Sequence, residues 1–136
     1  MIKQICAGGV ILNNDKVLVI NQDNISWCLP KGAIEKNESL IDCAKREIYE
    51  ETGITKLTLI KELGHYERNR IGRDGINDDK SVLKEIHFFL FKTNEIKIKP
   101  IDKRHPEGKW IEKDKVVELL THPKDKEFFL SILKML

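Results

Sequence analysis

Hydrophobic positions fall into short alternating runs near the N-terminus and a helical stripe further on. Residues 4–12 (QICAGGVIL) and 16–22 (KVLVINQ) read as strands, and Asn13-Asn14-Asp15 between them supplies turn chemistry, so the pair predicts a β-hairpin. A loop holding Trp27, Pro30 and Gly32 follows. From Ser39 to Thr52 the apolar positions recur at helical spacing. Ser39 fits an N-cap with Asp42 three residues on, and Gly53 stands where a left-handed residue ends a helix. Residues 56–64 (KLTLIKELG) and 84–92 (KEIHFFLFK) read as strands. The polar stretch from Tyr66 onward between them reads as a long loop, of the kind that is functional or disordered in a small domain. Lys97 to Ile101 and Trp110-Ile111 read as further short strands. Asp114 to Leu120 and Lys124 to Leu136 read as helices separated at Pro123. No composition shift divides the chain, so residues 1–136 are expected to form one domain. Strands interleaved with helices predict an α/β fold, a mixed sheet with helices on its faces.

Composition narrows the function classes. A chain of 136 residues with 40% hydrophobic and 34% charged residues buries a core without disulfides or a structural metal. No apolar run is long enough to span a bilayer, so no membrane partner is expected. The net charge of +2, from 24 basic and 22 acidic residues, gives no reason to expect a nucleic-acid partner. A small anionic ligand needs only a local cation cluster. Three cysteines without a CxxC pair (Cys6, Cys28, Cys43) argue against a disulfide framework or a zinc knuckle and for a reducing, cytoplasmic setting. Asn13, Asn14 and Asp15 interrupt the N-terminal apolar run, which fits a strand better than an export signal. Monomer and homodimer both stay open.

The 39–52 helix carries the candidate chemistry. At about 100° per residue, Leu40, Cys43, Ala44 and Ile48 share one stripe, and Glu47, Glu50 and Glu51 extend it. Carboxylates this close repel one another and lose hydration when half-buried. Arg46 neutralises only part of that charge, and a hard divalent cation, which prefers carboxylate and carbonyl oxygens, is the natural complement. A solvated acidic face is the plain alternative, and it would place the glutamates opposite Leu40 and Ala44.

Read outward, this helix gives Gly32, five residues, Glu38, seven residues, then Arg46-Glu47-Ile48-Tyr49-Glu50-Glu51-Thr52-Gly53-Ile54. That run resembles the Nudix box, G-x5-E-x7-R-E-U-x-E-E-x-G-U with U aliphatic, at every defined position. The resemblance implies an α/β/α sandwich with a mixed β-sheet, and Mg²⁺- or Mn²⁺-dependent hydrolysis of a nucleoside diphosphate linked to another group. It implies Glu47, Glu50 and Glu51 as metal ligands, with the backbone carbonyl of Lys31 as an extra oxygen. Arg46 would orient a box carboxylate, Glu38 would be structural, and Gly32 and Gly53 would be turn positions. For the base that deprotonates water it leaves Glu47, Glu85 and Glu107 open, Glu47 first.

Upstream, Trp27-Cys28-Leu29-Pro30-Lys31-Gly32 resembles the W-x-[FL]-P-K-G stretch of the diadenosine tetraphosphate hydrolase branch, and Lys84 in LKEIHFFLF resembles a phosphate-facing lysine of that branch. Both lysines are thereby expected on a polyphosphate, an exposed lysine being the plain alternative. Arg104-His105 departs from the Glu-His pair common there, and His105 reads as a surface residue. Tyr66 beside Arg68, Arg70 and Arg73 is a candidate for stacking a base and holding phosphates; Glu67, Asp74, Asp78 and Asp79 in the same stretch favour a solvated loop. Trp27 reads as packing or a lid anchor, and Phe88, Phe89, Phe91, Phe128 and Phe129 as core. The expected partner is a small nucleotide, foremost a dinucleoside polyphosphate such as diadenosine tetraphosphate, cleaved to ATP and AMP. Other nucleotide substrates, inositol pyrophosphates, or a nucleotide-sensing module without turnover are the alternatives.

Overall fold

The computed structural model describes residues 1–104 and 107–136. The expected hairpin forms from β1 (Ile2–Asn13) and β2 (Lys16–Gln22), with Asn14 left-handed at φ 54° in the turn. Two three-residue strands follow, β3 (Ser26–Cys28) and β4 (Lys31–Ala33), and then α1 (Leu40–Thr52). The remainder is β5 (Thr58–Ile71), β6 (Asp78–Lys92), β7 (Glu107–Glu112), the single turn α2 (Val116–Leu119) and α3 (Pro123–Ile132). The sheet runs β3-β2-β1-β6-β5, with β4 paired to β1 and β7 to β2. Only β1 and β6 run parallel among these pairs, from Ile2 opposite Val82 to Leu12 opposite Lys92, so the sheet is mixed as expected.

Alternation along the strands divides the core into two layers. On one face Ala7, Ile11, Leu18, Phe89 and Phe91 pack against Cys43, Ala44 and Ile48 of α1. On the other, Cys6, Val10, Val17, Val19, Ile86, Phe88 and Leu90 pack against Val116, Phe128, Phe129 and Ile132. Helices thus cover both faces. Ile48 is fully buried, and burial of such a side chain contributes roughly 1.5–3 kcal/mol. No helix among the described residues is long and apolar enough to cross a membrane.

Two expected elements take another form. The stretch from Tyr66 onward is not a loop: β5 and β6 pair through it, with Arg70 opposite Asp79 and Ile71 opposite Asp78, and only the tip at 72–77 turns. Its polar residues belong to a hairpin whose outer part, including Arg70 and residues 76–78, is exposed, while Arg68 nearer the sheet is buried. Lys97 to Ile101 forms no strand. Its backbone wraps the end of α1 instead, with the Lys99 N–H donating to the Thr52 carbonyl at 2.8 Å and the Ile101 and Asp102 N–H groups to the Glu50 carbonyl at 2.9 and 2.8 Å. A helix leaves its last carbonyls unsatisfied, and this segment supplies the donors.

Candidate active site

Helix α1 starts as its sequence dictates: the Ser39 hydroxyl accepts from the Asp42 N–H at 3.1 Å. It ends at Gly53, φ 78°, whose N–H donates to the Tyr49 carbonyl. A side chain at Gly53 would also run into the Lys99 carbonyl, so the wrapping segment reinforces the demand for glycine there.

The three box glutamates are not equivalent. Glu51 is 1% exposed. Glu47 keeps 14% of its side chain exposed and Glu50 39%. Burial pushes the Glu51 carboxyl well above the usual carboxylate range against the pull of the Lys31 ammonium, and a hydrogen bond with Glu47 raises it further. One Glu51 oxygen accepts the backbone N–H of Lys31 at 3.2 Å. Glu47 and Glu51 both line a cleft of about 220 Å³. Glu50 does not line it and is drawn toward the Arg46 guanidinium at 3.3 Å, so two of the three glutamates face the cleft.

Arg46 holds this edge together. Its guanidinium donates to both Glu38 oxygens at 2.7 and 3.0 Å, to the Ala33 carbonyl at 2.9 Å and to Glu47 at 2.8 Å. Bidentate pairing of this kind fixes orientation as well as charge. The Arg46 bonds hold the Glu38 carboxyl down at about 2, and Glu38 acts on the site through Arg46. Gly32 packs directly on the Glu47 carboxylate, in a space that a Cβ would fill.

Cations from distant parts of the chain line the same cleft as the carboxylates. Lys31 on β4 is the register partner of Gly8, and Lys84 on β6 that of Gln4, so β1 brings the two lysines to one cleft from its two sides. Both line it, as does Arg104. Repulsion from Lys31, aided by burial, lowers the Lys84 ammonium to about 8. The 102–104 segment reaches the cleft because the Asp23 N–H donates to the Arg104 carbonyl at 2.7 Å. Gln22, Asp23 and Arg104 are site residues that sequence reasoning missed; the only local signal was that Arg104 breaks the Glu-His pattern.

Other expected participants lie elsewhere. Tyr66 does not face the cleft: its ring stacks on Phe88 and Phe128, and its hydroxyl donates to Asp125 at 2.5 Å. The period of the strand turns it into the α3-side core, and this replaces its expected role on substrate. Arg68 joins the same buried group, its Nε donating to Asp125 at 2.8 Å. Glu85 bonds Lys3 and His87, and Glu107 is exposed at the start of β7; of the three base candidates, Glu47 lines the cleft and these two do not. His122 caps α3, accepting the Lys124 N–H at 3.1 Å. Trp27 packs against the core with the Lys109 ammonium 5.0 Å from its ring centroid. His105 lies outside the described residues.

Among the described residues no three His, Cys, Asp or Glu side chains already converge as a metal cage. The donor set nonetheless fits a hard cation. A nearly water-free carboxylate beside a second one is costly unless a proton or a cation lies between them, and Arg46 is already engaged by Glu35, Glu38, Glu50 and the Ala33 carbonyl besides Glu47.

The NUDIX domain family model matches residues 3–132. An RNA pyrophosphohydrolase of Pelagibacter ubique is 37% identical over 125 residues, covering 83% of this chain and 78% of that one. Among solved structures, the E. coli dihydroneopterin triphosphate pyrophosphohydrolase superposes with a TM-score of 0.77 at 18% identity over the full length of both chains. A C. elegans Ap4A hydrolase binary complex gives 0.75 at 21% identity, over 97% of this chain and 96% of that one. These low identities speak for the fold. With an intact box on α1, a mixed sheet between helices and a family model spanning nearly the whole sequence, the chain belongs to the NUDIX domain family and is a pyrophosphate hydrolase.

Proposed function

We propose that this chain hydrolyses a phosphoanhydride bond in the 5′-polyphosphate of a nucleotide. The observation that carries this reading is the meeting of Glu47 and Glu51 with Lys31 and Lys84 in one cleft. Lys31 and Lys84 neutralise phosphate oxygens, and Glu47 takes the proton of the attacking water. Arg46, fixed by Glu38, holds Glu47 in place. A divalent cation, Mg²⁺ or Mn²⁺, would be held by Glu47 and Glu51, with Glu50 and the Lys31 carbonyl completing the oxygen set. When bound, it supplies charge neutralisation and a more acidic water. Phosphoryl transfer requires this positioning and little covalent help.

Two substrate classes share that chemistry. The 5′-triphosphate end of RNA is supported by the name of the Pelagibacter relative, and overall charge does not oppose it, since a 5′ end is met by a local cation cluster. A dinucleoside polyphosphate is supported by the Trp27–Gly32 run and by Lys84 in the cleft. A panel decides between them: 5′-triphosphorylated oligonucleotide, diadenosine tetraphosphate, (d)NTPs, nucleotide sugars and inositol pyrophosphates, each with Mg²⁺ and with products separated by chromatography. Turnover of one of the first two is expected to exceed the rest, and Glu51→Gln is expected to lose at least about 100-fold. Wild-type rate in that variant would overturn the role of the carboxylates. Tight binding of one compound without hydrolysis of any would establish a nucleotide sensor instead.

A further inference from the structure

Helix α3 begins with two buried polar side chains that the hydrolytic chemistry does not use, His122 at its N-cap and Asp125 in its first turn. Each reaches across to the β5–β6 hairpin. Asp125 accepts from Tyr66 and Arg68, which lie on the part of β5 that pairs within the sheet. His122 bonds Asp78, the first residue of β6, through its Nε2 at 3.1 Å. Between these two grips the ladder is broken. The register passes from Asn69 opposite Leu83 to Arg70 opposite Asp79, skipping Lys80, Ser81 and Val82. Beyond the break the outer hairpin continues with Arg70 opposite Asp79 and Ile71 opposite Asp78, and then turns.

A ladder is stiff because each pair fixes the next, and such a skip removes that continuity and leaves the hairpin a place to pivot. Contacts outside the ladder then set where the outer part rests. That part is itself held together, by the Arg70–Asp79 ion pair and by the Gly72 N–H donating to the Asn77 carbonyl at 2.7 Å. The His122 ring is suited to anchoring it. Its Nδ1 accepts the Lys124 N–H at 3.1 Å, so the ring proton lies on Nε2 and is given to the Asp78 carboxylate. Burial and the Arg68 charge hold the ring below its ordinary range, against the pull of Asp125 and Asp78, so this tautomer persists at neutral pH. A buried ring with both nitrogens engaged keeps one orientation, and a bond to a carboxylate is stronger than a neutral one.

The outer hairpin also borders the active site. Arg70, Ile71, Gly72, Arg73 and Asp79 line a hollow that shares Lys84 and Arg104 with the carboxylate cleft. We propose that His122 is a positioning residue: through Asp78 it holds the outer β5–β6 hairpin beside the cleft, across the break that would let it swing. Asp125 anchors the sheet side of the break and His122 the far side, so the first turn of α3 acts as a brace. Substrate then meets a wall already in place instead of ordering it at each encounter, which lowers KM and leaves the chemical step alone. The kinetic consequence rests on the pyrophosphohydrolase reading of the cleft, and the brace itself does not.

The test places spin labels on Ile76→Cys at the hairpin tip and Lys45→Cys on α1, both exposed positions, and reads the distance between them. The native cysteines are buried and stay unlabelled. His122→Asn keeps a capping side chain on α3 but does not reach Asp78, and Asp78→Ala cuts the same bond from its exposed side. Loss of a bond to a carboxylate weakens docking of the hairpin by at least about tenfold. Both variants are therefore expected to turn one narrow distance distribution into a broad one, and the double variant to go no further than either single one. Asp78→Asn, which keeps an acceptor oxygen, should restore the narrow distribution. Without labels, KM for diadenosine tetraphosphate or a 5′-triphosphorylated oligonucleotide, whichever the wild type turns over faster, should rise about three- to tenfold in the two variants with kcat unchanged. A distribution that stays narrow in both, or is already broad in the wild type, overturns the brace, and so does an additive double variant. Broadening with KM unmoved overturns its part in binding. Absence of turnover in the wild type refutes the hydrolase reading, and the distances still judge the brace.

Discussion

Replacing Glu38 by Gln separates the framework of the site from its chemistry. The Glu38 carboxylate receives two bonds from Arg46, at 2.7 and 3.0 Å, and one from the Glu35 N–H at 3.1 Å, with 14% of its side chain exposed. Its carboxyl stands at about 2 against an ordinary 4.5. At about 1.36 kcal/mol per pH unit, that drop bounds the contribution of the charge at about 3–4 kcal/mol. Arg46 keeps other acceptors and some solvent, so the expected cost of Glu38→Gln at pH 7 is about 1–2 kcal/mol. The sign follows from a depressed acid: its stabilisation is complete above 4.5 and is lost as pH falls toward 2. Urea unfolding of wild type and variant from pH 7 down to 3.5 should show two stability curves converging below 4.5. The variant also releases Arg46 to close on Glu47, raising the Mg²⁺ concentration for half-maximal rate by about tenfold. Parallel stability curves and an unchanged Mg²⁺ requirement would show that the Arg46 fork does not set the position of Glu47.

Three further outcomes follow from the same geometry. Gly32→Ala places a methyl on the Glu47 carboxylate and should cut metal affinity, read by Mn²⁺ titration, about 10–100-fold while the protein stays folded. With the Lys84 ammonium lowered to about 8, the proposed phosphate contact predicts that substrate KM climbs as pH passes through about 8 and that Lys84→Arg flattens that rise. Asp125→Asn leaves Arg68 buried without its counter-charge and should cost about 3–5 kcal/mol in chemical unfolding, whereas Tyr66→Phe should cost about 1 kcal/mol and spare turnover.

What could be read from the sequence was what neighbouring residues determine together. Ser39, the Leu40–Ile48 stripe and Gly53 lie within a few turns, so α1 and its caps were legible, and so was the turn at Asn13-Asn14-Asp15. Lys97 to Ile101 looked like a strand because lysine and isoleucine alternate there, but its backbone is claimed by the carbonyls of Glu50 and Thr52, nearly fifty positions away. Tyr66 was misplaced for a related reason. Polar neighbours suggested a loop, and only the pairing of β5 with β6 determines which face it occupies. Lys31 and Lys84 were found through a resemblance to known motifs, while their convergence depends on the two edges of β1. Arg104 depends on one long-range bond to Asp23, for which no periodicity gives a sign.

Glu51 is held by the amide of residue 31 and drawn as well by that residue's ammonium. The two holds answer differently to mutation. Any residue but proline keeps the amide in place, so the buried acid keeps its anchor. Only lysine or arginine keeps a full positive charge beside it. A lineage that rewrites this codon therefore retains the anchor and retunes the acid in the same step, so position 31 ties the character of the cleft to the acidity of its most buried carboxylate.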